Sequence, residues 1–207
     1  MTMIKHPRTQ EEWGEVLRET TLEGVGAGNL VSSGWQLLTY PDPFLTKVSE
    51  PVTEFDYDLA TICEKMHSTM FYRDGIGLSA VQAGILKRII TMKIPETIEE
   101  NGKTYDTARP YNFINPEIRE SVTKRFSFSE GCLSVPGYFE NRERSDAVLL
   151  RYETIHGDVK VNWFDGLEAF VIQHEIDHLD GKLFIDDLSP LKKKRIGKKI
   201  QKTLRKK

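Results

Sequence analysis

Residues 174–178 read His174-Glu175-Ile176-Asp177-His178, an H-E-x-x-H. On an α-helix, positions four apart lie one turn apart on one face, so both imidazoles can reach a single metal ion. The glutamate beside the first histidine can approach a water next to that ion and act as its base. Two histidines and a carboxylate buried without a compensating ion would be costly. The chemistry these types and this spacing point to is metal-assisted hydrolysis.

Such a site needs a third ligand. The extended pattern H-E-x-x-H-x-x-G-x-x-H fits through Gly181 and then fails at Phe184. No glutamate follows Glu175, which removes the thermolysin-like arrangement. Asp180, Asp186 and Asp187 lie so close to the helix end that returning to the metal would be awkward. The third ligand is therefore expected upstream, with Cys132 in Glu130-Gly131-Cys132-Leu133-Ser134 as the leading candidate. A Cys-His-His set leaves a fourth position open for water, a catalytic arrangement. A further segment, Gly75-Ile76-Gly77-Leu78-Ser79-Ala80-Val81-Gln82, lacks the third glycine of a dinucleotide fingerprint. Read alone, it is a turn that needs a positive φ.

The elements that must position these residues follow from periodicity. The histidine pair falls on a helix expected to open at Asp165, with Glu168 three residues on, and to close at Gly181 with a left-handed cap. Its apolar residues, Leu167, Ala169, Phe170, Val171, Ile172, Ile176 and Leu179, cover most of the circumference, so the helix is buried. An earlier helix, capped by Asp56 or Asp58, carries Leu59, Ile62, Cys63, Met66, Met70 and Phe71 on one face. Cys63 is read there as an inert core thiol and His67 as a packed or rim residue. Residues 88–94 and 147–164 read as strands, the latter a hairpin turning at His156-Gly157-Asp158. Residues 95–112 are polar and turn-rich, a surface loop or loose hairpin. At the start, Thr9 with Glu12 resembles a capping box ahead of Trp13, Val16 and Leu17, so a short helix is expected within residues 1–23. Residues 24–34 have the Gly/Ser content of a linker. Strands on both sides of the buried helix make an α+β domain. The division expected is an extension over 1–34, a catalytic domain over 35–190 and a basic tail over 191–207.

Composition excludes other classes. No apolar run approaches the roughly 18 residues of a membrane span. Glu11, Glu12, Glu15, Glu19 and Glu23 argue against a secretory signal or transit peptide. Two cysteines make no disulfide framework, so a reducing cytoplasm is the expected setting. Residues 191–207 hold ten of the 29 Lys and Arg and no acid, leaving 19 bases against 31 acids elsewhere. A body of net charge −12 thus carries a +10 tail, either a solvated helix or an electrostatic foot for a polyanion. Ser189-Pro190 suits a helix start, and Ile196, Ile200 and Leu204 form a narrow apolar stripe among like charges. Such a helix is expected to fray in part unless a polyanion orders it.

Three segments, Gly75–Gln82 (GIGLSAVQ), Glu130–Ser134 (EGCLS) and Gln173–His178 (QHEIDH), resemble in order and spacing the signature segments of the peptide deformylases. Tyr40-Pro41-Asp42-Pro43 resembles the family's opening and Gly181-Lys182-Leu183-Phe184 its sequel, so the resemblance covers residues 35–190. Ser79 and Val81 stand where Ala and Pro or Thr are common, which bears on pocket shape. The resemblance implies antiparallel β-sheets around a buried central helix carrying the HExxH, with a basic C-terminal helix. It implies removal of the formyl group from the formyl-methionine of nascent chains. Cys132, His174 and His178 would hold one divalent ion, Fe²⁺ in the family, with Zn²⁺, Ni²⁺ or Co²⁺ as substitutes in purified protein. Glu175 would take the proton of water and pass it to the leaving amine, while the Gln82 amide and the Leu133 N–H hold the oxyanion. Ile76, Gly77 and Gly131 would line the peptide's path and Phe170 would enclose the methionine side chain. Similar bacterial enzymes dock on the ribosome through a basic C-terminal helix, which implies a role for residues 191–207. The competing readings are a metallopeptidase and an RNA-binding module with a structural metal; the Cys132 segment argues against the first, the open ligand position and Glu175 against the second.

Overall fold

The computed structural model describes residues 35–100 and 103–204; the helix expected within 1–23 and the linker over 24–34 lie outside the described residues. Helix α1 (Tyr57–Phe71) starts where the Asp56 carboxylate accepts the Leu59 N–H at 3.0 Å, so Asp56 rather than Asp58 is the cap. Its buried Leu59, Cys63, Met66 and Met70 reproduce the expected stripe and pack against Leu78, Ile89 and Ile114. Burial pushes the Cys63 thiol up to about 12. His67 is half-buried and bonded to Asn112 Oδ1 at 3.0 Å, as expected, and His156 is exposed.

Five strands form one antiparallel sheet in the order β1-β2-β3-β6-β7: β1 (Gly77–Ser79), β2 (Ile89–Glu100), β3 (Lys103–Ser121), β6 (Ala147–Glu153) and β7 (Val159–Asp165). A separate two-stranded ribbon joins β4 (Arg125–Gly131) to β5 (Phe139–Ser145). Residues 95–112 are no irregular loop: the ladder runs from Ile89↔Ile114 to Glu100↔Lys103, so the hairpin alternative holds and is well paired. Polarity alone leaves loop and hairpin open; the antiparallel pairing, which satisfies the backbone within the segment, decides for the hairpin. The expected hairpin forms as β6–β7, but Val159, Val161 and Trp163 face solvent on the edge strand while Phe164 turns inward.

Helix α2 (Gly166–Leu179) carries residues 174–178 and touches β1, β2, β5, β6 and β7. Leu167, Ala169, Val171, Ile172 and Leu179 pack with Ile90, Met92, Phe113, Val148 and Leu150. The capping box expected at Asp165 does not form; Asp165 makes no side-chain cap, and Glu168 instead accepts the Tyr111 hydroxyl at 2.6 Å. Helix α3 (Pro190–Leu204) buries Ile196 and Ile200 among Leu45, Val135, Leu183 and Phe184, so the narrow stripe has a prepared seat.

The end of α2 is tightly specified. Gly181 has φ +75°, the Lys182 N–H donates to Asp177 O at 2.8 Å and the Gly181 N–H to His178 O at 3.0 Å, a Schellman closure. A Cβ on Gly181 would lie 2.5 Å from Thr46 O, whereas one on Gly84, with φ +80°, would meet nothing within 4 Å. We expect Gly84→Ala to lose about 1–2 kcal/mol by backbone strain and Gly181→Ala to lose clearly more. Urea unfolding checks this, and equal losses would show that the Thr46 contact costs nothing.

Candidate functional site

The strand β4 ends at Gly131 and delivers Cys132; α2 delivers His174 and His178 from successive turns. One ligand atom from each lies within 4.8 Å of the others. Cys132 Sγ is 3.1 Å from His178 Nε2 and receives the Ser134 N–H at 3.3 Å. His174 Nδ1 donates to Glu130 Oε1, leaving its other ring nitrogen for the cluster. His178 Nδ1 and Glu175 Oε2 are buried with no hydrogen-bond partner among the described residues. A thiol and two imidazoles converging at one point, beside an unsatisfied buried carboxylate oxygen, fit a divalent transition-metal ion.

The charges around this point are strongly perturbed. Burial, opposed by the neighbouring His174 charge and a bond from Ser79, raises the Glu175 carboxyl to about 7. At Glu130 burial acts the same way, but bonds from His174 and Arg144 outweigh it and hold the pKa at about 2. Burial disfavours a proton on both imidazoles; at His174 the bonds with Cys132 and Glu130 overcome it and hold the pKa well above the ordinary value. At His178 burial and the neighbouring His174 charge together drive it well below.

The cluster opens into a cavity of about 550 Å³. Cys132, His174 and Glu175 line it, as do Gln82, Leu133 and Gly131. Ile76, Gly77 and Phe170 complete the expected set on its walls, with Phe128, Leu167 and Val171 adding apolar surface. Gln82 is held by its oxygen, which accepts both the Ser79 N–H and hydroxyl at 2.9 Å; its amide nitrogen then lies 3.1 Å from Ser134 Oγ and 3.5 Å from Cys132 Sγ.

The glycines of the Gly75–Gln82 segment are not there for positive φ, which falls instead on Asp74 at 53°. They permit close approach. A Cβ on Gly75 would lie 2.8 Å from Leu133 Cδ1, and one on Gly77 would lie 2.6 Å from Glu175 Oε1 and 2.7 Å from Val171 Cγ1. A Cβ on Gly131 would run into the Phe139 ring. Glu130 and Asp177 fall within the motifs without an expected role, and Arg144 lies outside all three segments. Arg144 alternates with other charged residues along β5, and no local spacing connects it to α2.

The family model for polypeptide deformylase matches residues 35–194. The peptide deformylase of Maricaulis maris is 41% identical over 167 residues, 81% of this chain and 92% of that protein. The crystal structure of peptide deformylase from Ehrlichia chaffeensis superposes with a TM-score of 0.74 at 35% identity, covering 83% of this chain and 97% of the other. That from Thermotoga maritima gives 0.66 at 37% identity, covering 76% and 99%. The chain belongs to the polypeptide deformylase family. Its activity is accordingly that of a metal-dependent hydrolase removing the N-formyl group from newly synthesised polypeptides.

A methyl group at Gly77 must displace the Glu175 carboxylate or Val171; with Glu175 as the expected base, a displacement near 1 Å would cost roughly 10²-fold in rate. Gly77→Ala should lower kcat of deformylation by about that factor while retaining metal stoichiometry. Unchanged kcat in a correctly folded variant would show that Glu175 tolerates the shift.

Proposed function

We propose that this chain hydrolyses the formamide bond of N-formyl-methionyl polypeptides and releases formate, with Cys132, His174 and His178 holding Fe²⁺. The carrying observation is the convergence of these three ligand atoms at a largely apolar cavity that Cys132 and His174 line, beside the unpartnered Glu175 Oε2. The bound ion would act as a Lewis acid, lowering the pKa of water toward ~7. Glu175 takes the proton of the attacking water and delivers it to the leaving amine nitrogen. Gln82, its oxygen committed to Ser79 and one amide hydrogen to Ser134, turns the hydrogen that faces Cys132 Sγ at 3.5 Å toward the developing oxyanion, and the Leu133 N–H is the second donor. Ile76, Gly77 and Gly131 flank the peptide, while Phe170 and Phe128 offer aromatic surface to the methionine thioether, a favourable partner. A formyl carbon bears only hydrogen, so Gly131 and Gly77 can bring walls close enough to exclude bulkier acyl groups.

The catalytic unit in this reading is residues 35–190, built on α2 as the central, HExxH-bearing helix, with 1–34 and 191–207 as appendages. No helix among the described residues is long and apolar enough to cross a membrane. A nascent-chain substrate suits a cytoplasmic enzyme. Glu175→Gln should keep the metal, since all three ligands remain, and reduce formate release by at least ~10². Metal analysis beside a formate assay tests this; near-normal turnover would remove Glu175 from its role.

The basic helix is read as a ribosome-binding foot. Truncation after Pro190 is a poor test of this, because Ile196 and Ile200 pack with Phe184, whose ring lies 6.2 Å from that of His174. Charge removal is cleaner. Replacing Lys194, Lys198 and Lys199 by Gln should leave turnover of a short formyl-Met peptide intact and flatten the salt dependence of ribosome binding. Unaltered co-sedimentation at matched salt would leave α3 as a packing element only.

A further inference from the structure

Arg144 belongs neither to the ligand set nor to the groups that touch substrate, yet it joins the elements carrying both. It is 8% exposed on β5. Its Nε donates to Glu130 Oε2 at 2.9 Å and its Nη2 to Oε1 at 2.8 Å, a bidentate pair within the β4–β5 ribbon. Its Nη1 donates to Asp177 Oδ2 at 2.9 Å, on α2 between the two histidines. The Oε1 that Arg144 holds is the one that accepts His174 Nδ1. The guanidinium carbon also lies 5.4 Å from the centre of the Phe170 ring.

We infer that Arg144 is a positioning residue that locks the ribbon delivering Cys132 to the helix delivering His174 and His178, and registers that metal corner against the Phe170 wall. The inference rests on the reading of those three residues as metal ligands. A planar fork can make all three bonds while presenting its face to a ring; an ammonium cannot. Disturbing it should rotate the His174 ring through Glu130 and shift Phe170 at the same time. Metal retention and side-chain selectivity are then properties of one guanidinium.

Gln173 provides a control. It also ties the ribbon to α2, accepting the Ser145 N–H at 3.0 Å and donating to Ser145 O at 2.9 Å, but it does not touch Glu130. The test uses the full chain loaded with Co²⁺, comparing wild type, Arg144→Lys, Asp177→Asn and Gln173→Ala. For Arg144→Lys we expect metal release to a chelator to accelerate by about 10–100-fold. Its ligand-field spectrum should change, and the preference in kcat/KM for formyl-Met over formyl-Ala peptides should narrow. Asp177→Asn should move all three readouts in the same direction but less, and it decides the matter if Arg144→Lys does not fold. Gln173→Ala should keep the wild-type spectrum and preference. Arg144→Lys with wild-type spectrum, release rate and preference overturns the inference, as does a Gln173→Ala that reproduces the Arg144→Lys changes. A wild-type chain that takes up no Co²⁺ would instead overturn the ligand assignment.

Discussion

A carboxylate only 3% exposed must stay charged if it is to orient a histidine, and Glu130 does so because two donors reach it at once. Burial in a low-dielectric interior would neutralise it; the guanidinium and the imidazole N–H outweigh that tendency. Everything at the site depends on this arrangement. The Glu130 carboxylate determines which nitrogen of His174 carries a proton, and so which one faces Cys132. It also requires the β4–β5 ribbon to lie against α2, which leaves the cavity between them.

The parts of this design differ in how far they can be read from the chain. The histidine pair is legible because helical periodicity is local: residues four apart share a face wherever the helix lies. The α1 stripe is legible for the same reason. Cys132 is reachable by eliminating downstream ligands. Arg144 is not, since its partners depend on strand register and on how a ribbon is laid across a helix, and neither leaves a mark in a short window. The glycines at 75 and 77 show the same limit. Their type suggests a special φ, yet what they accommodate is Leu133 and Glu175 from distant segments. Alternation identifies β7 as a strand but does not say which side meets the core; Phe164, not the Val159, Val161 and Trp163 row, turns inward. At Asp165 the local capping signal loses to a tertiary bond, because Glu168 finds Tyr111 instead.

Charge is divided between two purposes. Inside, opposite charges are matched nearly one to one around Glu130, Arg144 and Asp177, where leaving any one alone would be strongly unfavourable. Outside, α3 concentrates one sign while two isoleucines hold it to the body. A helix seated in this way presents its lysines in a fixed pattern rather than as a loose chain, so less ordering would be needed for the polyanion binding proposed for it.

The two cysteines occupy opposite chemical situations. Cys63 is sealed in the α1 stripe with its thiol pushed to about 12, so at neutral pH it offers neither access nor thiolate to an alkylating or oxidising reagent. Cys132 stands at the cavity wall. Thiol chemistry on the folded chain therefore reports on one position. With Cys132 as a metal ligand, as proposed, the fraction of modified protein would count the sites whose sulfur is not engaged, an occupancy gauge readable by mass spectrometry without any added chromophore.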